Sequence, residues 1–129
     1  MGSYLFSGLK VIHAATVIAA PAAAMMLAEY GADVIKIEHP DGDFLRRVKE
    51  LKGQGEEKED YMWQLDGRNK RGIVLDLRSA DGMEVLLKLA AQCDVFITNQ
   101  PFAMRDKFGF NYEDLRELNP GMIYASLSA

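Results

Sequence analysis

The residues best equipped for chemistry are crowded into one stretch. "GADVIKIEHPDGDFLRR", Gly31 to Arg47, runs from apolar residues into Glu38, His39, Asp41 and Asp43, then into Arg46 and Arg47. A metal site would use His39 with these acids, but adjacent loop residues lack any recognised ligand spacing, so no metal is expected. A serine nucleophile would need a Gly-x-Ser-x-Gly turn, and the chain has none. Anion binding fits better, because further cations stand in "DGRNKRG" (Arg68, Lys70, Arg71, with Asn69) and in "NQPFAMRDK" (Arg105, Lys107, with Asn99). Several Arg and Lys near backbone amides suit spread negative charge, such as a nucleotide pyrophosphate or ribose phosphate.

These groups need a scaffold, and the apolar patterning predicts one. Five short apolar runs read as strands: Lys10–Ala15, Asp33–Glu38, Gly72–Leu77, Asp94–Thr98 and Gly121–Ser128. Helical spacing falls between them at Pro21–Tyr30, Ala80–Gln92 and Tyr112–Leu118. Ser79 and Asn111 are suited to cap the last two, Pro120 and Gly121 to stop the third, and Gly31 to end the first with positive φ. Strands alternating with helices predict an α/β fold of Rossmann-like βαβ units around a mainly parallel sheet of about five strands. Asp41–Arg71 has no strong period; with its charged centre "KELKGQGEEKED" it reads as a mobile surface excursion.

In such a sheet, ligands gather outside the carboxyl ends of the strands. Thr16, Glu38, His39, Asp43, Arg46, Arg47, Asn99, Arg105 and Lys107 all follow predicted strands there. A dinucleotide would normally bring Gly-x-Gly-x-x-Gly, yet the first strand leads into "HAATVIAAPAAA" without a glycine. No triphosphate-binding loop is present either, so an ordinary dinucleotide oxidoreductase is disfavoured. His13, inside the first strand, reads as a satisfied core or strand-end histidine, with a ligand role as the alternative. Cys93 cannot form an internal disulfide and reads as a small core residue, with a functional thiol as the alternative.

At 129 residues and 49% apolar composition, the chain suits one compact domain. Its net charge of -4 and lack of a basic cluster give no footprint for nucleic acid or an anionic membrane. "KVIHAATVIAAPAAAMMLA" competes as a signal peptide, but His13 and Pro21 interrupt it and it has a single lysine. A strand, loop and helix in a cytoplasmic protein is the preferred reading, with no membrane span. The myristoylation pattern fails at position 6.

Together, "GLKVIHAATVIAAP", "LAEYGADVIKIEHPDGDFLRR", "NKRGIVLDLRSADGMEVLLKLAAQCDVFITN" and "FGFNYEDLRELNPGMIYASLS" resemble the amino-terminal part of class III coenzyme A transferases, a family that includes the related α-methylacyl-CoA racemases. The resemblance implies CoA binding on a Rossmann-like domain without the glycine fingerprint. It places Val17 and Ile18 beside CoA, Lys70 near its nucleotide part, Asn99 in the family's Glu-Asn-Phe turn and Lys107 at a basic position one turn later. His39 stands where formyl-CoA transferase has an arginine near the nucleotide, and Asp43 with Arg46 match a Gly-Asp-x-x-Arg pattern. "NQPF" departs from the usual Asn-Phe-x-Pro. The local alternatives are a solvated turn for Lys70 and Arg71, a turn-forming Asn99 before Pro101, and an exposed Asp43–Arg46 pair at three-residue spacing.

The resemblance further implies transfer of CoA between carboxylic acids. An aspartate attacks the acyl-CoA thioester to form a mixed anhydride, and the released thiolate then forms an enzyme thioester that the acceptor acid resolves. That aspartate falls beyond Ala129, as does the racemases' His and Asp pair. Residues 1–129 are thus expected to be the amino-terminal part of a CoA-binding large domain, inactive alone, with acyl-CoA and carboxylic acids as substrates of the parent enzyme. A racemase fragment or a non-catalytic nucleotide-binding or assembly module are the alternatives. Exposed sheet edges and the family's interlocked dimers both imply a homo-oligomer.

Overall fold

The computed structural model describes residues 3–51 and 60–127. Five strands, β1 (Lys10–Ala14), β2 (Asp33–Glu38), β3 (Arg71–Val74), β4 (Val95–Thr98) and β5 (Ile123–Ser126), form one sheet in the order β3-β2-β1-β4-β5. Every pairing is parallel, with Val11 opposite Val34 on β2 and Val95 on β4. An all-parallel sheet must be covered on both faces, and adjacent residues serve opposite sides. Val11, Val34 and Ile97 belong to one apolar cluster, while Ile12, Ile37 and Phe96 belong to the other.

Helix α1 (Ala19–Glu29) covers the first face with Ala20, Ala24 and Ala28, small residues at four-residue spacing that let it lie close to β1 and β2. It ends at Gly31, whose φ of 98° is the conformation expected there. Helices α4 (Ala80–Ala90) and α6 (Tyr112–Leu118) cover the other face through Leu86, Ala90 and Leu115. Ser79 caps α4 by accepting from the Gly82 amide at 3.0 Å, and the Asp114 carboxylate accepts from the Asn111 amide at 2.9 Å at the start of α6.

Three more helices depart from the sequence expectation. α2 (Phe44–Leu51) and α3 (Tyr61–Gly67) occupy much of the stretch read as a surface excursion, and α3 packs against both α1 and α2. The central residues 52–59 lie outside the described residues. α5 (Phe102–Phe108) fills what read as a loop after β4 and stops at Gly109, with φ of 73°. Such short helices show little periodicity of their own, and packing rather than propensity stabilises them.

Candidate functional site

The sheet order reverses direction between β1 and β4, and the crevice outside their carboxyl ends is where a ligand finds backbone from two diverging crossovers. A cleft of about 280 Å³ opens there, lined by Ala14–Thr16, Ile37–His39, Gly42, Asp43, Leu75–Arg78, Gln100 and Met104. Beside it, at the switch point, the ends of β1 and β4 are tied together by side chains. Thr98 donates from Oγ1 to the Ala14 carbonyl at 3.0 Å and accepts the Gln100 amide at 3.1 Å. One residue further, Asn99 accepts the Thr16 amide at 3.0 Å and donates to the Thr16 carbonyl at 2.8 Å. Val17 then adopts φ of 68°, a costly left-handed conformation for a β-branched residue, and Ile18 leads into α1; both side chains are substantially exposed.

After β2 the polar knot separates into distinct pairings. Asp43 lies 2.6 Å from Lys36, both buried, and Lys36 also donates to the Ala15 carbonyl at 2.9 Å. Removing either partner would strand a buried charge, at a cost of about 3–5 kcal/mol. Arg46 is held by Glu38, with Nε 2.6 Å from Oε1, and its guanidinium lies 3.8 Å from the centre of the Trp63 ring. The local Asp43–Arg46 pair, the alternative reading of this pattern, is replaced by the Lys36–Asp43 and Glu38–Arg46 pairs. Stacking on α3 and a carboxylate at the end of β2 give the guanidinium more than Asp43, just ahead of its own helix, would.

His39 lines the cleft. Its Nε2 is 2.9 Å from an Arg78 terminal nitrogen, which can only donate, while its Nδ1 accepts the Asp41 backbone amide at 3.1 Å and lies 3.3 Å from the Asp41 carboxylate. Arg78 also binds Asp76 through Nε at 3.0 Å, and these bonds hold the Asp76 carboxyl below its ordinary pKa. Arg78 was not singled out from the sequence. The available signal was its position in "DLRSADG", just beyond an apolar strand and ahead of a capping serine.

The predicted cations Arg46, Lys70, Arg71, Arg105 and Lys107 lie outside the cleft lining. Lys70 lies on the α1 side, donating from Nζ to the carbonyls of Pro21 at 2.8 Å and Asp66 at 2.5 Å. Burial, followed by repulsion from Lys36, lowers its pKa to about 8. Its partners replace the solvated-turn reading, whereas Arg71 is exposed and bound to Asp33. Lys107 is exposed on α5, 5.4 Å from the Phe108 ring centre. Arg105 is drawn into the core, where it bonds the Tyr124 hydroxyl at 3.0 Å.

His13 corrects another expectation. It is fully buried, as a core histidine would be, but among the described residues neither ring nitrogen has a hydrogen-bond partner. Burial, with Lys36 and Lys70 nearby, lowers its pKa to about 2. Cys93 is a buried core thiol, raised to about 11 by burial. No group of three or more metal-ligating His, Cys, Asp or Glu side chains occurs among the described residues, and none of their helices is long and apolar enough to cross a membrane.

A doubly covered parallel sheet with a cleft at its switch point and no glycine fingerprint defines a Rossmann-like α/β protein. The family model for CoA-transferase family III matches residues 6–129, and the chain belongs to that family. It is 36% identical over 124 residues to (R)-2-hydroxy-4-methylpentanoate CoA-transferase of Clostridioides difficile, covering 95% of this chain and 31% of that protein. It is 40% identical over 125 residues to cinnamoyl-CoA:phenyllactate CoA-transferase of Clostridium sporogenes, covering 96% and 30%. A solved CaiB/BaiF family protein from Brucella suis superposes with a TM-score of 0.85 at 36% identity, covering 97% of this chain and 33% of that one. The chain thus spans about a third of the length of these relatives.

Proposed function

We propose that this chain is the CoA-binding amino-terminal portion of a class III CoA-transferase that moves CoA between carboxylic acids through an aspartyl intermediate, the aspartate being supplied outside this chain. The observation carrying this reading is the cleft at the β1/β4 switch point, present without a dinucleotide glycine turn in a member of CoA-transferase family III. His39 serves at its rim, Val17 and Ile18 form the adjoining loop, and Asn99 secures that loop. Arg46 orders the turn after β2 by binding Glu38 and Trp63. Arg78 joins this set as a cation for the nucleotide part of CoA. Lys70 braces α1 and α3 behind the cleft, while Lys107 offers an exposed charge on α5.

The parent enzyme takes acyl-CoA and carboxylic acid substrates, works in the cytoplasm and assembles as a homo-oligomer; nucleic acid and membrane are not its partners. The transferase names of both curated relatives favour transfer over the racemase alternative. Calorimetric titration of the 129-residue chain with CoA, with NAD as control, tests the binding assignment. CoA binding without NAD binding is expected. Heat from NAD, or none from CoA, would overturn the assignment of a CoA site to this chain.

A further inference from the structure

We infer that Asn99 is a positioning residue for the CoA loop: its side-chain amide acts as one extra rung between β1 and β4 and holds Val17 in its left-handed conformation. This rests on the cleft being the CoA site. β1 and β4 are paired through Ala14 and Thr98, and the ladder would stop there. The Asn99 side chain continues it, accepting from the Thr16 amide at 3.0 Å and donating to the Thr16 carbonyl at 2.8 Å. Only a side-chain amide offers a donor and an acceptor in the orientation that matches a peptide group.

The consequence falls on the next residue. Thr16 is fixed on one side of Val17, while Ile18 is fixed on the other as the residue preceding α1, its carbonyl accepting the Ala22 amide at 2.8 Å. A β-branched residue at φ of 68° persists only where its surroundings over-determine the backbone, and these two anchors supply that constraint. Both polar atoms of the Asn99 side chain bond Thr16, so its role is assigned to the loop it holds. With the loop held before binding, the ligand is spared the cost of ordering it.

The test uses the 129-residue chain with labelled valine, reading the Val17 backbone carbon shifts and amide-to-α-proton coupling beside CoA affinity. In Asn99→Ala, and in the gentler Asn99→Asp, which keeps an acceptor but loses the donor, Val17 should lose its left-handed signature. CoA affinity should fall about tenfold. Adding Val17→Gly to Asn99→Ala should restore affinity to within about threefold of Val17→Gly alone, because glycine adopts positive φ without help. A Val17 signature unchanged in both single variants would overturn the clamp. A double variant no tighter than Asn99→Ala would instead make Asn99 a direct ligand contact and overturn the positioning role. If the unsubstituted chain bound no CoA, the site reading would fail, whereas the Val17 signature would still decide whether the clamp exists.

Discussion

His13 is the residue whose environment makes the plainest physical demand. It lies in β1 opposite Lys36 of β2, with Lys70 also nearby; Asp43 and Asp66 lie around the same lysines, but neither imidazole nitrogen is bonded among the described residues. Protonation would place a third positive charge beside two cations without a partner of its own, so the native ring stays neutral. Its folded pKa of about 2 lies below the ordinary value of 6.5, and the unfolded chain binds the extra proton between them. Stability is therefore fully present above about pH 6.5 and falls with acidification, at up to about 1.4 kcal/mol per pH unit from this group. Urea unfolding at pH 7 and pH 5 should show a marked loss in the unsubstituted chain. His13→Leu should flatten that dependence; an equal loss in both would assign acid sensitivity elsewhere.

At the scale of the element, the turn between β3 and α4 couples packing to the cleft. Gly82, in the first turn of α4, lies so close to the Asp76 carbonyl that an added Cβ would collide with it, and Ser79 Oγ would be 3.0 Å away. The same turn carries Asp76 and Arg78 into the cleft. Gly82→Ala should therefore destabilise the fold by about 1–3 kcal/mol despite alanine's better helix propensity, and should weaken CoA binding by displacing Arg78. Thermal unfolding with parallel CoA titration checks both effects. Helices α1, α4 and α6 were legible from spacing and caps, with bounds close to those expected. α6 is only seven residues long, but Asn111 at its start and Pro120 with Gly121 after its end marked it; α2, α3 and α5, of seven or eight residues, were not bracketed in that way, and neighbouring elements decided their conformation.

At the scale of the whole molecule, the sheet ends in two exposed edges. Val74 on β3 and Ile123 on β5 are 60% and 65% exposed, and parallel edge strands offer unpaired backbone groups to other chains. The 129-residue chain should self-associate in sedimentation velocity runs as concentration rises, and Ile123→Lys should reduce that association. A monomer at every concentration would place the oligomer contacts elsewhere. The strands themselves were legible in the sequence, since each is a short apolar-rich run bounded by polar or glycine residues and that pattern is local; "DVIKIE" coincides with β2 for that reason. The missing glycine turn and the CoA-transferase resemblance were likewise written in the chain. Which polar group meets which was decided by tertiary structure: Asp43 takes Lys36, Arg46 takes Glu38, Arg78 joins the cleft, and Asn99 reaches Thr16 across 83 residues. Those pairings depend on strand order and register, which bring together groups that no local period relates.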